Sequence, residues 1–177
     1  EYRRQRQMCI RDRFKPGDSL YGAFEVMTTD QLFAVSSTGR VFSIAVSLLP
    51  SARGDGAPIT SLIELEAGAR VDHCFACNTD TGVLFATQAG NGFISQAADL
   101  VGRTRQGKAF ITLDEGDQPL RPALFTPGMT TVLCVSTEGR ALSFPLGELK
   151  VLRNGGRGVI LMGLNKAGRS GWSPSSR

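Results

Sequence analysis

Several residue types that carry chemistry are scarce in this chain. It has one histidine, one tryptophan, two tyrosines and four cysteines in 177 residues. The single His73 leaves no Ser, His and Asp constellation for nucleophilic hydrolysis. No glycine-rich loop leads into a Lys and Ser/Thr pair, so no phosphate-cradling nucleotide loop is visible. No apolar run approaches the length of a bilayer-spanning helix. The basic residues before Met8 are not followed by an apolar stretch, which excludes a secretory signal peptide at Glu1 to Arg13. What is abundant is glycine, 21 residues, beside 41% hydrophobic and only 20% charged residues. That is a globular composition with many turns between short strands.

The formal charge of +4 belongs to the ends. Residues 1–13 carry Arg3, Arg4, Arg6, Arg11 and Arg13 against Glu1 and Asp12. Residues 165–177 carry Lys166, Arg169 and Arg177 and no acid. Between them, residues 14–164 hold 12 basic and 14 acidic residues. A nucleic-acid argument must therefore rest on local clusters and not on bulk charge. Residues 1–13 lack apolar periodicity, and Gln7 to Arg13 matches a translated sequencing-adapter scar; a basic nucleic-acid-binding arm is the other reading. Residues 165–177 read as a disordered or frame-shifted tail. The expected organisation is one domain over residues 14–164.

That domain repeats. Leu32 to Phe42, Val83 to Phe93 and Val132 to Leu142 align, with Gly39, Gly90 and Gly139 at the same place. The period also aligns Leu49, Leu100 and Leu149, then Gly56, Gly107 and Gly156, then Ile59, Phe110 and Val159. Each unit of about 50 residues has an apolar run, a glycine turn, a second apolar run and a third run beyond a Gly- and Arg-bearing loop. Both faces of the first strands are apolar and need cover, which stacked blades provide. Repeated amphipathic helices are disfavoured by the β-branched runs and the glycine density. The expected fold is all-β: a partial propeller-like ring of about three blades of four-stranded antiparallel sheet. Leu20, Phe24 and Val26 are candidates for an outer strand of a preceding blade.

Two patterns bear on chemistry. Cys74 and Cys77 form a C-x-x-C beside His73, but a zinc site wants about four ligands and no second pair follows. On a strand these cysteines face opposite sides, so packing as small hydrophobes is expected, with no metal bound. Unpaired cysteines suit a reducing, cytoplasmic setting. The second pattern is the loop after each aligned leucine. These loops bring Arg53, then Arg103, Arg105 and Lys108, then Arg153 and Arg157 to one repeat position. Arg40 and Arg140 follow the aligned turn glycines. Glycines admit close approach of a phosphate and arginines supply charge and bidentate donors; solvated turn arginines are the alternative.

In these segments the chain resembles the C-terminal DNA-binding domain of bacterial type IIA topoisomerase A subunits. The resemblance is carried by Ser36 to Ser43, Pro50 to Gly56, Ala89 to Phe93, Asp99 and Leu100, Gly107 to Leu113 and Leu152 to Gly158. It spans roughly residues 14–164. It implies a β-pinwheel whose four-stranded blades exchange strands with their neighbours and whose outer rim bends duplex DNA. Leu152 to Gly158 reads L-R-N-G-G-R-G, keeping part of the Q-R-R-G-G-K-G box of gyrase and lacking its leading Gln and second Arg. The degraded box implies the topoisomerase IV branch more than gyrase, although a gyrase domain or a propeller-like protein-interaction module stays open. The resemblance implies no catalytic residue in this chain, since the family's catalytic Tyr and breakage-reunion domain have no counterpart here. It implies duplex DNA as partner, the rest of a dimeric A subunit, an ATPase B subunit, and Mg²⁺ and ATP for the whole enzyme only. The implied location is cytoplasmic and nucleoid-associated, with no membrane.

Overall fold

The computed structural model describes residues 19–50 and 56–164. Arg53, Tyr2, Cys9 and the segments 1–13 and 165–177 lie outside the described residues. Three hairpins form the frame. Strands β1 (Gln31–Ser36) and β2 (Arg40–Ala45) make the first, β4 (Gly82–Ala86) and β5 (Asn91–Gln96) the second, and β8 (Thr131–Val135) and β9 (Ala141–Pro145) the third. Each turns at an aligned glycine held at positive φ: Gly39, Gly90 and Gly139. There the glycine N–H closes onto the carbonyl of the last residue of the first strand or its immediate neighbour, Ser36, Thr87 and Ser136. Only glycine takes this left-handed conformation without penalty, which is why the turn glycine recurs at each repeat.

The hairpins become blades by exchanging strands. Strand β3 (Val71–Cys77) pairs with β1 along its whole length, and β6 (Lys108–Ala109), from the second repeat, pairs with β2. The first sheet is thus ordered β3-β1-β2-β6. The second is ordered β10-β5-β4-β7, with β7 (Ala123–Phe125) from the linker and β10 (Val159–Ile160) from the third repeat. The third run of the second and of the third repeat therefore completes the preceding blade, while that of the first, at Ile59–Ser61, is a short helical turn. Among the described residues the third sheet has only the two strands β8 and β9, so the expected three four-stranded blades become two plus a hairpin. The reason lies in the exchange itself: flanking strands come from well downstream of their hairpin, and the described residues end at Leu164.

Residue equivalence between blades emerges from the backbone bonds. Gly39 O accepts the N–H groups of Phe110 and Ile111, and Gly90 O accepts those of Leu161 and Met162. Val41 pairs with Lys108 and Gly92 with Val159. Phe110 thus corresponds to Leu161, and Gly107 to Gly158. This corrects the sequence alignment of Phe110 with Val159 and of Gly107 with Gly156. The third loop is two residues longer, and its three glycines, Gly155, Gly156 and Gly158, gave the alignment more than one place to settle.

Apolar layers lie between blades, as the doubly apolar strands require. Phe33 and Val35 face one layer while Ala34 faces another. The first inter-blade layer is built on Phe33, Phe75, Phe85, Phe93 and Phe110, with ring centroids 5.1 to 6.5 Å apart. At the second layer the equivalent residues shrink: Phe33 becomes Leu84, Phe85 becomes Cys134 and Phe110 becomes Leu161. A groove of about 570 Å³ opens there, lined by Leu84, Cys134 and Leu161 among others. After each second strand a short helical turn packs the aligned leucine against an apolar layer. The turns are Val46–Leu48, α1 (Ala97–Leu100) and Leu146–Glu148, and the leucines are Leu49, Leu100 and Leu149. Leu20, Phe24 and Val26 form no strand and are exposed, which overturns that expectation. Strand β3 covers β1 and is itself the outer strand of the sheet, where the Cys74 N–H donates to Tyr21 Oη at 3.3 Å in place of a strand ladder.

Candidate nucleic-acid interface

The basic loops sit where the exchange strands enter. Loop 101–107 leads into β6 on the outer edge of β2, and loop 150–158 leads into β10 on the outer edge of β5. Their glycines serve the protein's own backbone. A Cβ on Gly107 would strike the Phe42 ring and the Val41 carbonyl. One on Gly155 would overlap the Phe110 carbonyl, and one on Gly158 the Gly92 carbonyl. Gly156 N–H donates to Phe110 O at 2.8 Å, and Thr112 N–H to Gly156 O at 3.0 Å. The glycine pattern that suggests room for a phosphate is thus used to let neighbouring strands meet.

The cations divide into two sets. Arg40 Nε donates to Gln106 O at 3.0 Å and Nη2 to Gly107 O at 3.2 Å, while Nη1 pairs with Glu66 Oε1 at 3.0 Å. Arg105 donates from Nε to Leu62 O at 3.2 Å and from Nη2 to Ser61 O. Lys108 Nζ donates to Asp99 O at 3.1 Å and lies 5.3 Å from the centroid of the Phe110 ring. Arg157 pairs with Asp114, and Arg140 lies 3.9 Å from Glu138. Arg103 and Arg153 are exposed and have no side-chain partner among the described residues. Lys150, in the same loop as Arg153, is likewise exposed and unpartnered. The structure therefore brings Arg103 and the pair Lys150 and Arg153 into corresponding loops at the edges of successive blades. The bonding of Arg40, Arg105 and Lys108 within the protein leaves no sequence signal, because each bonds backbone carbonyls.

The cysteines do not converge. Cys74 packs in the layer outside the first blade and Cys77 in the layer between blades, on opposite faces of β3, as strand geometry requires. His73 Nε2 lies 3.0 Å from Pro119 O. Burial raises the pKa of the Cys74, Cys77 and Cys134 thiols; at Cys77 a hydrogen bond from Thr81 opposes the rise and the nearby Asp30 adds to it.

The same repeat occurs in known proteins. The sequence profile of the family described as "DNA gyrase C-terminal domain, beta-propeller" matches residues 30–78, 83–118 and 130–169, more than half of the chain. The chain belongs to the DNA gyrase C-terminal domain family. Within this family it is 39% identical over 142 residues to the A subunit of DNA topoisomerase 4 from Escherichia coli K12, covering 80% of this chain and 19% of that protein. The chain thus spans about a fifth of the curated relatives it matches. The solved C-terminal domain of E. coli ParC superposes with a TM-score of 0.77 at 37% identity, over 85% of this chain and 61% of that one. A gyrase A C-terminal domain superposes at 0.64 with 22% identity, over 80% and 46%, and shares the fold. The family's repeat is the pinwheel repeat seen here, and the greater identity lies on the topoisomerase IV side.

Proposed function

We propose that this chain binds duplex DNA electrostatically along the blade edges that carry loops 101–107 and 150–158. The observation that carries this reading is that Arg103, Lys150 and Arg153 are exposed and unpartnered, among the described residues, in corresponding loops on successive blades. Phosphate contacts from such side chains position DNA without reading sequence. Arg157 and Arg140 extend the candidate rim, each after exchanging an acidic neighbour for phosphate. Contacts on successive edges favour a duplex bent across them, whose deformation cost is offset by the added contacts.

In a whole type IIA topoisomerase the domain would hold and orient a transported duplex, favouring decatenation and relaxation. Strand cleavage, ATP hydrolysis and the Mg²⁺ they use belong in this reading to the ATPase B subunit together with the rest of a dimeric A subunit. The setting is cytoplasmic and nucleoid-associated; among the described residues no helix is long and apolar enough to cross a membrane.

The test is binding of a fluorescent duplex over a salt series. Removing one phosphate-binding cation should lower the slope of log affinity against log salt by about one. Changing Arg103, Lys150 and Arg153 together to Ala should flatten the slope by roughly two to three units and weaken all duplexes alike. Arg70→Glu is the off-loop comparison, since Arg70 is paired with Asp72 beside β3. Equal effects of the two changes would remove the loops from the interface. Absence of salt-dependent binding by the unaltered chain would favour the protein-interaction reading, to which the slightly acidic body is suited.

A further inference from the structure

We propose that Arg40 is a positioning residue that latches the basic loop 102–107, and that it acts on DNA only through Arg103. The functional half of this inference rests on the DNA-binding reading above; the structural half does not. Arg40 opens β2 immediately after the turn glycine, and its side chain is only 25% exposed. Its guanidinium bonds the carbonyls of two consecutive loop residues, Gln106 and Gly107, and the carboxylate of Glu66. One planar fork therefore ties together the hairpin, the linker before β3 and the end of the basic loop.

The rest of the loop is anchored on either side of Arg103. Ser43 Oγ accepts the Gly102 N–H at 2.8 Å. Arg105 O accepts the Glu64 N–H at 2.8 Å, while the Arg105 side chain holds Ser61 and Leu62. Arg103 stands between these anchors with no partner among the described residues. Fixing both flanks fixes the direction in which Arg103 projects, so less ordering is left to do when a phosphate arrives. In the second repeat Asn91 occupies the equivalent position, too short to fork across a loop. Loop 150–158 is held instead by the Gly156 backbone bonds to Phe110 and Thr112. Of the two basic loops among the described residues, the arginine latch is thus particular to the first. A lysine has one ammonium and cannot span both carbonyls and the carboxylate in the same plane.

The experiment uses the full chain with Arg40→Ala, Arg40→Lys and Arg103→Ala. Amide hydrogen exchange of the DNA-free protein is read first, then binding of a mixed-sequence duplex over a salt series. Both Arg40 variants should speed exchange across 102–107 by about ten-fold while leaving the β1 and β4 cores protected. Both should weaken DNA binding about five-fold with the salt slope of the unaltered chain, since every phosphate-binding cation is still present. Arg103→Ala should leave exchange alone and lower the slope by about one. Unchanged exchange in the Arg40 variants overturns the latch. An Arg40→Lys that binds normally beside an Arg40→Ala that lowers the slope by about one also overturns it and makes Arg40 a phosphate contact. Faster exchange in a chain that never shows salt-dependent binding upholds the latch and overturns its role in DNA binding together with the proposed function. Should Arg40→Ala fail to fold, Glu66→Gln removes one arm of the fork and is read in the same way.

Discussion

Substituting Phe85 by Ala tests whether the first inter-blade layer dominates stability. Phe85 is fully buried, and its ring neighbours Phe75, Phe93 and Phe110 at centroid distances of 6.5, 5.4 and 5.5 Å. Removing a buried phenyl ring costs about 3–5 kcal/mol, from the forfeited transfer free energy plus the cavity left behind. Three ring partners and strands pinned on both sides leave little room for collapse, so the upper half of that range is expected. Cys134 holds the equivalent position in the third hairpin, beside the open groove. Cys134→Ala removes one sulfur from a half-buried site and should cost about 1 kcal/mol or less. Urea unfolding followed by far-UV circular dichroism gives both values. At about 2–4 °C per kcal/mol for a chain of this size, Phe85→Ala should also lower Tm by roughly 10 °C or more. A loss for Phe85→Ala below about 1.5 kcal/mol, or one matched by Cys134→Ala, would refute the assignment of the main core to the aromatic layer.

Gly39→Ala should destabilise far more than Gly139→Ala in the same assay. Both carry positive φ, but a Cβ at Gly39 overlaps the Ile111 carbonyl whereas nothing lies within 4 Å at Gly139, where strain alone should cost about 1 kcal/mol. Ser43→Ala leaves the Gly102 N–H without its acceptor and should cost about 1 kcal/mol, with faster exchange at that amide. The buried thiols predict a pH effect of definite sign. Folding holds Cys74, Cys77 and Cys134 protonated above their ordinary pKa, so the folded state binds more protons, and stability should fall as pH rises above about 8.5. Denaturation midpoints at successive pH values check this, as does iodoacetamide labelling, which should reach Cys77 slowly in the folded protein and rapidly in urea.

The hairpins and their glycines were legible because a turn needing positive φ leaves a glycine at a fixed phase of the repeat. The aligned leucines were legible for the same reason, each plugging the layer after a second strand. Partnership was not legible. A period states that Phe110 belongs to a strand but not that its N–H bonds the Gly39 carbonyl of the preceding blade. Leu20, Phe24 and Val26 show that apolar residues alone do not make a strand: they lie by the open outer edge of β3, yet the Cys74 N–H there bonds the Tyr21 hydroxyl and not a backbone carbonyl. At the candidate interface, residue type found the loops but could not separate Arg103 from Arg105. The difference is whether a carbonyl stands within reach, and only folding decides that.

Strand exchange also imposes an order of events on synthesis. Arg40 pairs with Ala109 and Asn91 with Ile160, so each blade is sealed by residues emerging long after its hairpin. A ribosome releasing this chain would present an open-edged hairpin until the next repeat had appeared, and each arrival would close the one before it. The edge left waiting at every moment belongs to the newest hairpin. Such a chain is protected against premature edge-to-edge association by the speed of its own elongation, and a pause placed between repeats, more than one within a hairpin, is where aggregation should be favoured.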